Sequence, residues 1–294
     1  MSAALRPNSL TELTAAIGRF DGRIAYVAGG TDLIIAQAGA DWPDLLIDVT
    51  GIAGLDGIEV EGDSVHIGAA ATMTALSAHS VLQDGYTAMT QAAASIGSVQ
   101  IRNRATIGGN IASAMPAGDL LPVLRCLEAR IEVQRRDGGV DALDFDRVIT
   151  GRGETCLGAG DLITAVILPR RPSLSAFVKF GPRDVLTIAK LNIAACADLD
   201  PQTGCVTDAR VVAGALAPVP LRMATVEAAL QGRAIDQVMA DGVLNALSQA
   251  VDAAIPGRAS QPYKRRAIVG LGLDLLQHLF DREFDIPADR AVPA

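Results

Sequence analysis

The chain has 294 residues, half of them hydrophobic, enough for about two domains with real cores. Its 33 acidic residues outnumber 25 lysines and arginines for a net charge of -8, and its longest basic run is Lys264-Arg265-Arg266, so nucleic acid is not an expected partner. Apolar stretches such as 188–197 fall short of the roughly 20 residues of a membrane span, and the start MSAALRPNSL lacks a secretory pattern, so a cytoplasmic location is expected.

In chain order, Ser9-Leu10-Thr11-Glu12 reads as a capping box, with Leu10, Leu13, Ile17 and Phe20 at helical spacing behind it. Residues 24–28 then predict a buried strand, 32–38 a helix and 45–49 a second strand, a βαβ opening. The turn at 61–64 predicts a hairpin of 58–60 with 65–67, Thr72 a helix cap, and 86–96 and 119–129 two further helices. A second hairpin spans 131–135 and 140–145 around Asp137-Gly138-Gly139, and 161–168 closes this part as a strand. Prolines and arginines at 169–173 mark a boundary, which gives domains at 1–172 and 173–294, the first divided at about residue 57. Beyond it, 175–180, 188–199 and 205–216 predict a three-stranded antiparallel sheet, covered by helices over 225–231, 237–253 and 263–280.

Two glycine pairs carry the chemistry. Ala28-Gly29-Gly30-Thr31-Asp32-Leu33 follows the first strand directly, and its bare amides can receive an anion, or can simply make a turn that needs positive φ. Thr106-Ile107-Gly108-Gly109-Asn110 repeats the ingredients behind two cations, Arg102 and Arg104. Two such loops can clasp one ligand with two phosphates. Neither loop is G-x-G-x-x-G or a P-loop, which argues against a Rossmann nicotinamide site and against nucleotide hydrolysis. Cys126, Cys156, Cys196 and Cys205 are too scattered for zinc or iron–sulfur ligation, and His66, His79 and His278 each stand alone, so no metal site and no catalytic triad is expected.

AGGTDL at 28–33, IRNRATIGGNIA at 101–112, PAGDLLPVL at 116–124, GDLITAVILP at 160–169, FVKFGPRDVLTIAK at 177–190 and YKRRAIVGLGLDLL at 263–276, taken together, resemble the flavin-binding medium subunit of the molybdenum hydroxylases, the family of carbon monoxide and xanthine dehydrogenases. The resemblance spans the whole chain. It implies an α+β protein: a two-subdomain FAD-binding fold of the vanillyl-alcohol-oxidase (PCMH) type, followed by the sheet-and-helix C-terminal domain. It also implies non-covalent FAD, since Thr31 stands where some relatives by fold carry a histidine for a covalent bond. Tyr26, Val27, Ala28, Gly29, Gly30, Thr31, Asp32 and Leu33 would form the first FAD segment, and Thr106, Ile107, Gly108, Gly109 and Asn110 the second. Ile96 would lie on the adenine side and the Ile163 backbone near the ring.

By the same resemblance Asp119 would accept hydrogen bonds from the flavin, Lys179 would sit by the ring and raise its potential, and Ile188 would pack on its face. On residue type alone Asp119 can equally cap the following helix, and Lys179 can be a solvated strand lysine. The implied function is electron transfer: molybdopterin in a large subunit, two [2Fe–2S] clusters in a small one, an (αβγ)2 assembly, and NAD⁺, a quinone or another acceptor taking electrons from FAD. Two alternatives stand beside it: a self-contained flavin oxidoreductase of the same fold, and a non-catalytic flavin-binding scaffold.

Overall fold

The computed structural model describes residues 3–36, 41–169, 174–183 and 185–285. The chain forms two compact units that interleave along the sequence: residues 1–79, 96–115 and 128–170 make the first, and 80–95, 116–127 and 171 onward make the second. The helices Thr87–Ser95 and Leu120–Cys126 therefore fold with the second unit although they precede residue 172. Of the linker at 169–173, residues 170–173 lie outside the described residues.

The first unit opens with the two predicted strands and, between them, one helical turn at Leu33–Ala36; residues 37 and 38 of the predicted helix lie outside the described residues. Strands Ile24–Val27 and Leu45–Asp48 pair in parallel, and Ala3–Leu5 adds a third parallel strand on the far edge of Leu45–Asp48. Half of the capping box forms as expected, Ser9 Oγ accepting from Glu12 N at 3.1 Å, while the Glu12 carboxylate receives the N–H of Asn8, one residue before the cap, at 2.8 Å. Helix Leu10–Ile17 then buries Leu13 and Ile17 against Leu45, Ile47 and Val49. A five-stranded antiparallel sheet follows in the order Ile58–Glu61, Ser64–Gly68, Leu162–Pro169, Arg130–Gln134, Val140–Asp144. Strand Leu162–Pro169, the last of the five in sequence, is central because it inserts between Ser64–Gly68 and Arg130–Gln134, and it carries a bulge between Ile163 and Ala165.

In the second unit the C-terminal sheet has four antiparallel strands, not the three expected: Leu174–Phe180, Leu191–Leu199, Val206–Gly214 and Leu221–Arg222. The fourth has two residues, too few to show any periodicity. Both faces of this sheet are covered. Ile193, Ala195 and Ala197 join the core built with the helices Ala224–Leu230, Gln237–Ala254 and Gln261–Phe280. Cys196 points the other way, its Sγ 3.2 Å from Cys126 Sγ on helix Leu120–Cys126. Residues alternate between faces along a strand, so double coverage is why 191–197 reads as an unbroken apolar run with one polar exception, Asn192.

Candidate functional site

Two constellations are built, one in each unit. In the first, strand Ile24–Val27 leads into the Gly29-Gly30 turn, where Gly30 takes φ +72, a left-handed value that favours glycine. Gly29 is needed for another reason: a Cβ there would lie 2.0 Å from the Arg104 carbonyl oxygen. The turn thus packs its backbone directly on the segment that precedes the second glycine pair, bringing together two loops that are far apart in sequence.

Their amides differ in availability. Among the described residues, the N–H groups of Gly29, Gly30, Thr31 and Asp32 have no internal acceptor. The second segment spends its own: Ile107 N donates to Ala71 O at 3.0 Å, Gly108 N to Ala69 O at 2.8 Å, Gly109 N to Thr106 Oγ1 at 3.2 Å, and Asn110 N to Thr106 O at 3.0 Å. Thr106 is the N-cap of a short helix, Ile107–Ser113, where a loop was expected. What this segment leaves open is the side-chain oxygen of Asn110, buried without a partner, and the exposed flank of Gly109. A buried oxygen of that kind is costly unless a donor reaches it.

Between the two segments lies a cleft of about 210 Å³, lined among others by Ala28, Gly29, Thr72, Asn103, Arg104 and Thr106. Arg102 is committed to the carbonyls of Ile96 and Gly97 at 3.2 and 3.0 Å, whereas the Arg104 guanidinium is exposed and unpaired among the described residues. Free amides, one free cation and an orphaned oxygen fit a diphosphate bearing sugar hydroxyls. Tyr26 is anchored by its hydroxyl to Gly160 O at 2.7 Å, and its phenol is pushed up to about 12, first by burial and then by the charge of Asp161. Ile163 is buried at the bulge of the central strand.

In the second unit, Lys179 and Asp119 form a buried ion pair, Nζ to Oδ2 at 2.5 Å, with side chains 9% and 6% exposed. Lys179 Nζ also donates to Ser95 O at 3.2 Å, and Asn192 Nδ2 donates to Asp119 Oδ1 at 2.9 Å. Burial pushes the Asp119 carboxyl up, and the Lys179 charge with the hydrogen bonds of Lys179, Asn192 and Ser95 oppose that. Asp119 makes no side-chain cap bond to the helix behind it, so its geometry favours the cluster over the capping role. Lys179 is not a solvated lysine, and two of its three donors are spent. Ile188, by contrast, is 79% exposed and lies before the strand that starts at Leu191.

Asn192 and Gly214 escaped the sequence reading. Gly214 faces Asn192 across the strand pair, and a Cβ there would lie 2.1 Å from Asn192 Oδ1, so a side chain at 214 would dislodge the amide that holds Asp119. The signal was present in LNIAACA, where one asparagine interrupts a buried run.

Residues 1–171 match the model of the FAD binding domain in molybdopterin dehydrogenase, and 176–279 match that of the CO dehydrogenase flavoprotein C-terminal domain. The chain is 30% identical to the nicotinate dehydrogenase FAD-subunit of Eubacterium barkeri over 94% of its own length and 95% of the relative's. It is also 30% identical to the carbon monoxide dehydrogenase medium chain of Afipia carboxidovorans, over 89% and 90%. A solved carbon monoxide dehydrogenase from Hydrogenophaga pseudoflava superposes with a TM-score of 0.84 at 25% identity, covering 95% of this chain and 97% of that one. Quinoline 2-oxidoreductase of Pseudomonas putida 86 shares the fold, with a TM-score of 0.80 at 21% identity over 95% of each chain. The chain belongs to the family of FAD-binding medium subunits of molybdopterin dehydrogenases.

Proposed function

We propose that the chain works as the electron-transfer subunit of a three-component molybdenum hydroxylase, alongside a large molybdopterin subunit and a small subunit with two [2Fe–2S] clusters. The observation that carries this reading is the pair of glycine segments packed on each other at Gly29 and Arg104, with unspent amides on one and the orphaned Asn110 oxygen on the other. Bound FAD supplies the change from one-electron to two-electron transfer. The first unit's residues then hold and exclude: the amides of 29–32 and the Arg104 cation face the diphosphate, the Asn110 oxygen accepts from a ligand hydroxyl, and Ile96 and Ile163 offer apolar and backbone surface. In the second unit, Lys179 keeps one N–H free for a ring-edge acceptor, and Asp119 fixes where that N–H can go. Each assignment rests on its own unit's geometry.

Purification of the chain with its neighbouring subunits tests this directly. The expected result is one FAD per chain by absorbance, released intact on denaturation, with molybdenum and iron in the co-purifying subunits. A colourless chain, or a flavin chain that self-associates and recruits no such partners, defeats the proposal.

A further inference from the structure

We propose that Asp119 and Asn192 form a buried proton site. When reduction places negative charge at the ring edge that Lys179 serves, Asp119 takes up a solvent proton on Oδ1, and the Asn192 amide turns over to accept from the new O–H. This rests on the electron-transfer reading above and adds to it the residue that carries the charge-balancing proton.

The geometry is that of an amide poised between two states. Asn192 is fully buried, and its Nδ2 donates to Asp119 Oδ1 at 2.9 Å. The other end of the same amide, Oδ1, is buried without a partner among the described residues. It faces Gly214, where a Cβ would lie 2.1 Å from Asn192 Oδ1 and 3.3 Å from the Pro116 carbonyl oxygen. That carbonyl accepts from Ala215 N at 2.7 Å and, like any carbonyl, has a second lone pair. The present orientation satisfies Asp119 as a carboxylate but leaves the amide oxygen orphaned, which is costly. The two ends of an amide have nearly the same size, so a half turn about the last side-chain bond disturbs little packing. It brings Oδ1 to an Asp119 O–H and Nδ2 to the flank of Pro116 O. Protonated Asp119 therefore satisfies the atom that ionised Asp119 leaves unpaired.

The charges make the same case. Lys179 faces Asp119 from strand Leu174–Phe180, Asn192 from Leu191–Leu199 and Ser95 from helix Thr87–Ser95. Strand Val206–Gly214 brings Gly214, which has no side chain, against Asn192. Arg210 of that strand lies at the far end of helix Leu120–Cys126, where its carbonyl accepts from Cys126 Sγ at 3.3 Å, and the Lys264 ammonium donates to Ala215 O at 2.6 Å. Burial pushes the Asp119 carboxyl above the ordinary aspartate range while Lys179, Asn192 and Ser95 draw it back, so its two protonation states are held in balance. While Asp119 is ionised, its pair with Lys179 is neutral. Two electrons that arrive with one proton leave a negative charge on the bound ligand. A second proton on Asp119 turns the pair into a net cation that matches it, so two electrons and two protons enter and no bond between heavier atoms changes. The coupling is reciprocal: whatever helps Asp119 hold its proton helps the ligand hold its electrons.

Reduction of the full FAD-loaded chain in weakly buffered solution, followed with an indicator dye, counts the protons taken up per two electrons. Wild type should take up one more than Asp119→Asn near neutral pH, and its midpoint potential should fall more steeply with pH. Infrared difference spectra of that reduction should show a protonated carboxyl that disappears in Asp119→Asn, together with an amide change that disappears in Asn192→Leu. Asn192→Leu takes a charge-assisted donor from the carboxylate but only a neutral acceptor from the acid, so the extra uptake should move to higher pH. Equal proton counts in wild type and Asp119→Asn overturn the proposal. An Asn192→Leu chain that keeps the wild-type pH range overturns it as well, since the amide would then be a bystander. Should Asp119→Asn not fold, the wild type is compared with free FAD, and matching counts overturn it too. A chain that holds no FAD, alone or in its complex, defeats the electron-transfer reading instead. The same carboxyl and amide bands, raised by acid rather than by reduction, then test the site, and an amide band that ignores the Asp119 titration overturns it.

Discussion

A Cβ on Gly29 would sit 2.0 Å from the carbonyl oxygen of Arg104, a contact with backbone that no rotamer change can relieve. Gly29→Ala should therefore push the two glycine segments apart. Overpacking of this kind costs about 1–3 kcal/mol or more, and the variant should lose both stability in denaturant and its flavin absorbance. A variant that unfolds like the wild type would show that the two segments do not depend on this contact.

Gly109 separates binding from folding. It is exposed in the first turn of helix Ile107–Ser113, and an added Cβ would meet only Thr106 Oγ1, at 3.0 Å. Gly109→Val should change stability by less than about 1 kcal/mol, since glycine is itself a poor helix residue. Its bulk on the open flank should nevertheless abolish FAD retention. Full occupancy in a normally folded variant would remove the second segment from the clasp.

How far the sequence could be read depended on what each signal needed. The helix behind Ser9 was legible because its cap and its apolar residues are local, and the 137–139 turn because Gly138 takes φ +93. Ala3–Leu5 and Leu221–Arg222 were not legible, since strands of three and two residues exist only through distant partners. Helix Ile107–Ser113 was hidden by its glycines. Gly108 is there because a Cβ would lie 2.8 Å from Ala69, so packing overrides propensity. At the site, the glycine loops were visible as motifs, but which amides are already spent was not, because their acceptors at Ala69 and Ala71 lie elsewhere in the chain.

Lys179→Met leaves the Asp119 carboxylate buried without its cation. Breaking a buried pair in this way costs about 3–5 kcal/mol. Burial already holds the Asp119 carboxyl above its usual 3.8, and loss of Lys179 removes the charge and hydrogen bond that draw it down. In the variant the folded-state value rises further above that of the wild type, so the deficit should be absent at low pH and should grow once pH passes the wild type's own raised value. Lys179→Met with Asp119→Asn should recover much of it. The flavin potential should fall in the single variant. A potential that stays put, with the stability loss present, would confine Lys179 to holding the cluster together.

Asp161 offers a test with the opposite pH sign in the first unit. Its Oδ2 accepts from Arg135 Nη1 at 2.6 Å and Gly158 N at 2.9 Å, and its Oδ1 from Arg136 N at 3.3 Å. Burial opposes ionisation, but these donors outweigh it and hold the carboxyl below the usual 3.8. Such a group stabilises the fold above the unfolded value, and the benefit fades as pH falls through the lower folded value. Asp161→Asn should therefore cost about 1–3 kcal/mol near neutral pH, as expected when a charged acceptor is lost. The gap from the wild type should close below pH 3.8. A second readout is independent of stability. The charge of Asp161 helps to keep the Tyr26 phenol at about 12, so its removal should bring the tyrosinate absorbance on at lower pH. Tyr26 lies on the strand that delivers Gly29 and Gly30, with its hydroxyl on Gly160 O next to Asp161, so a shifted phenol with a weakened flavin affinity would tie this hydrogen-bonded turn to the first loop. A phenol that titrates as in the wild type would break that link.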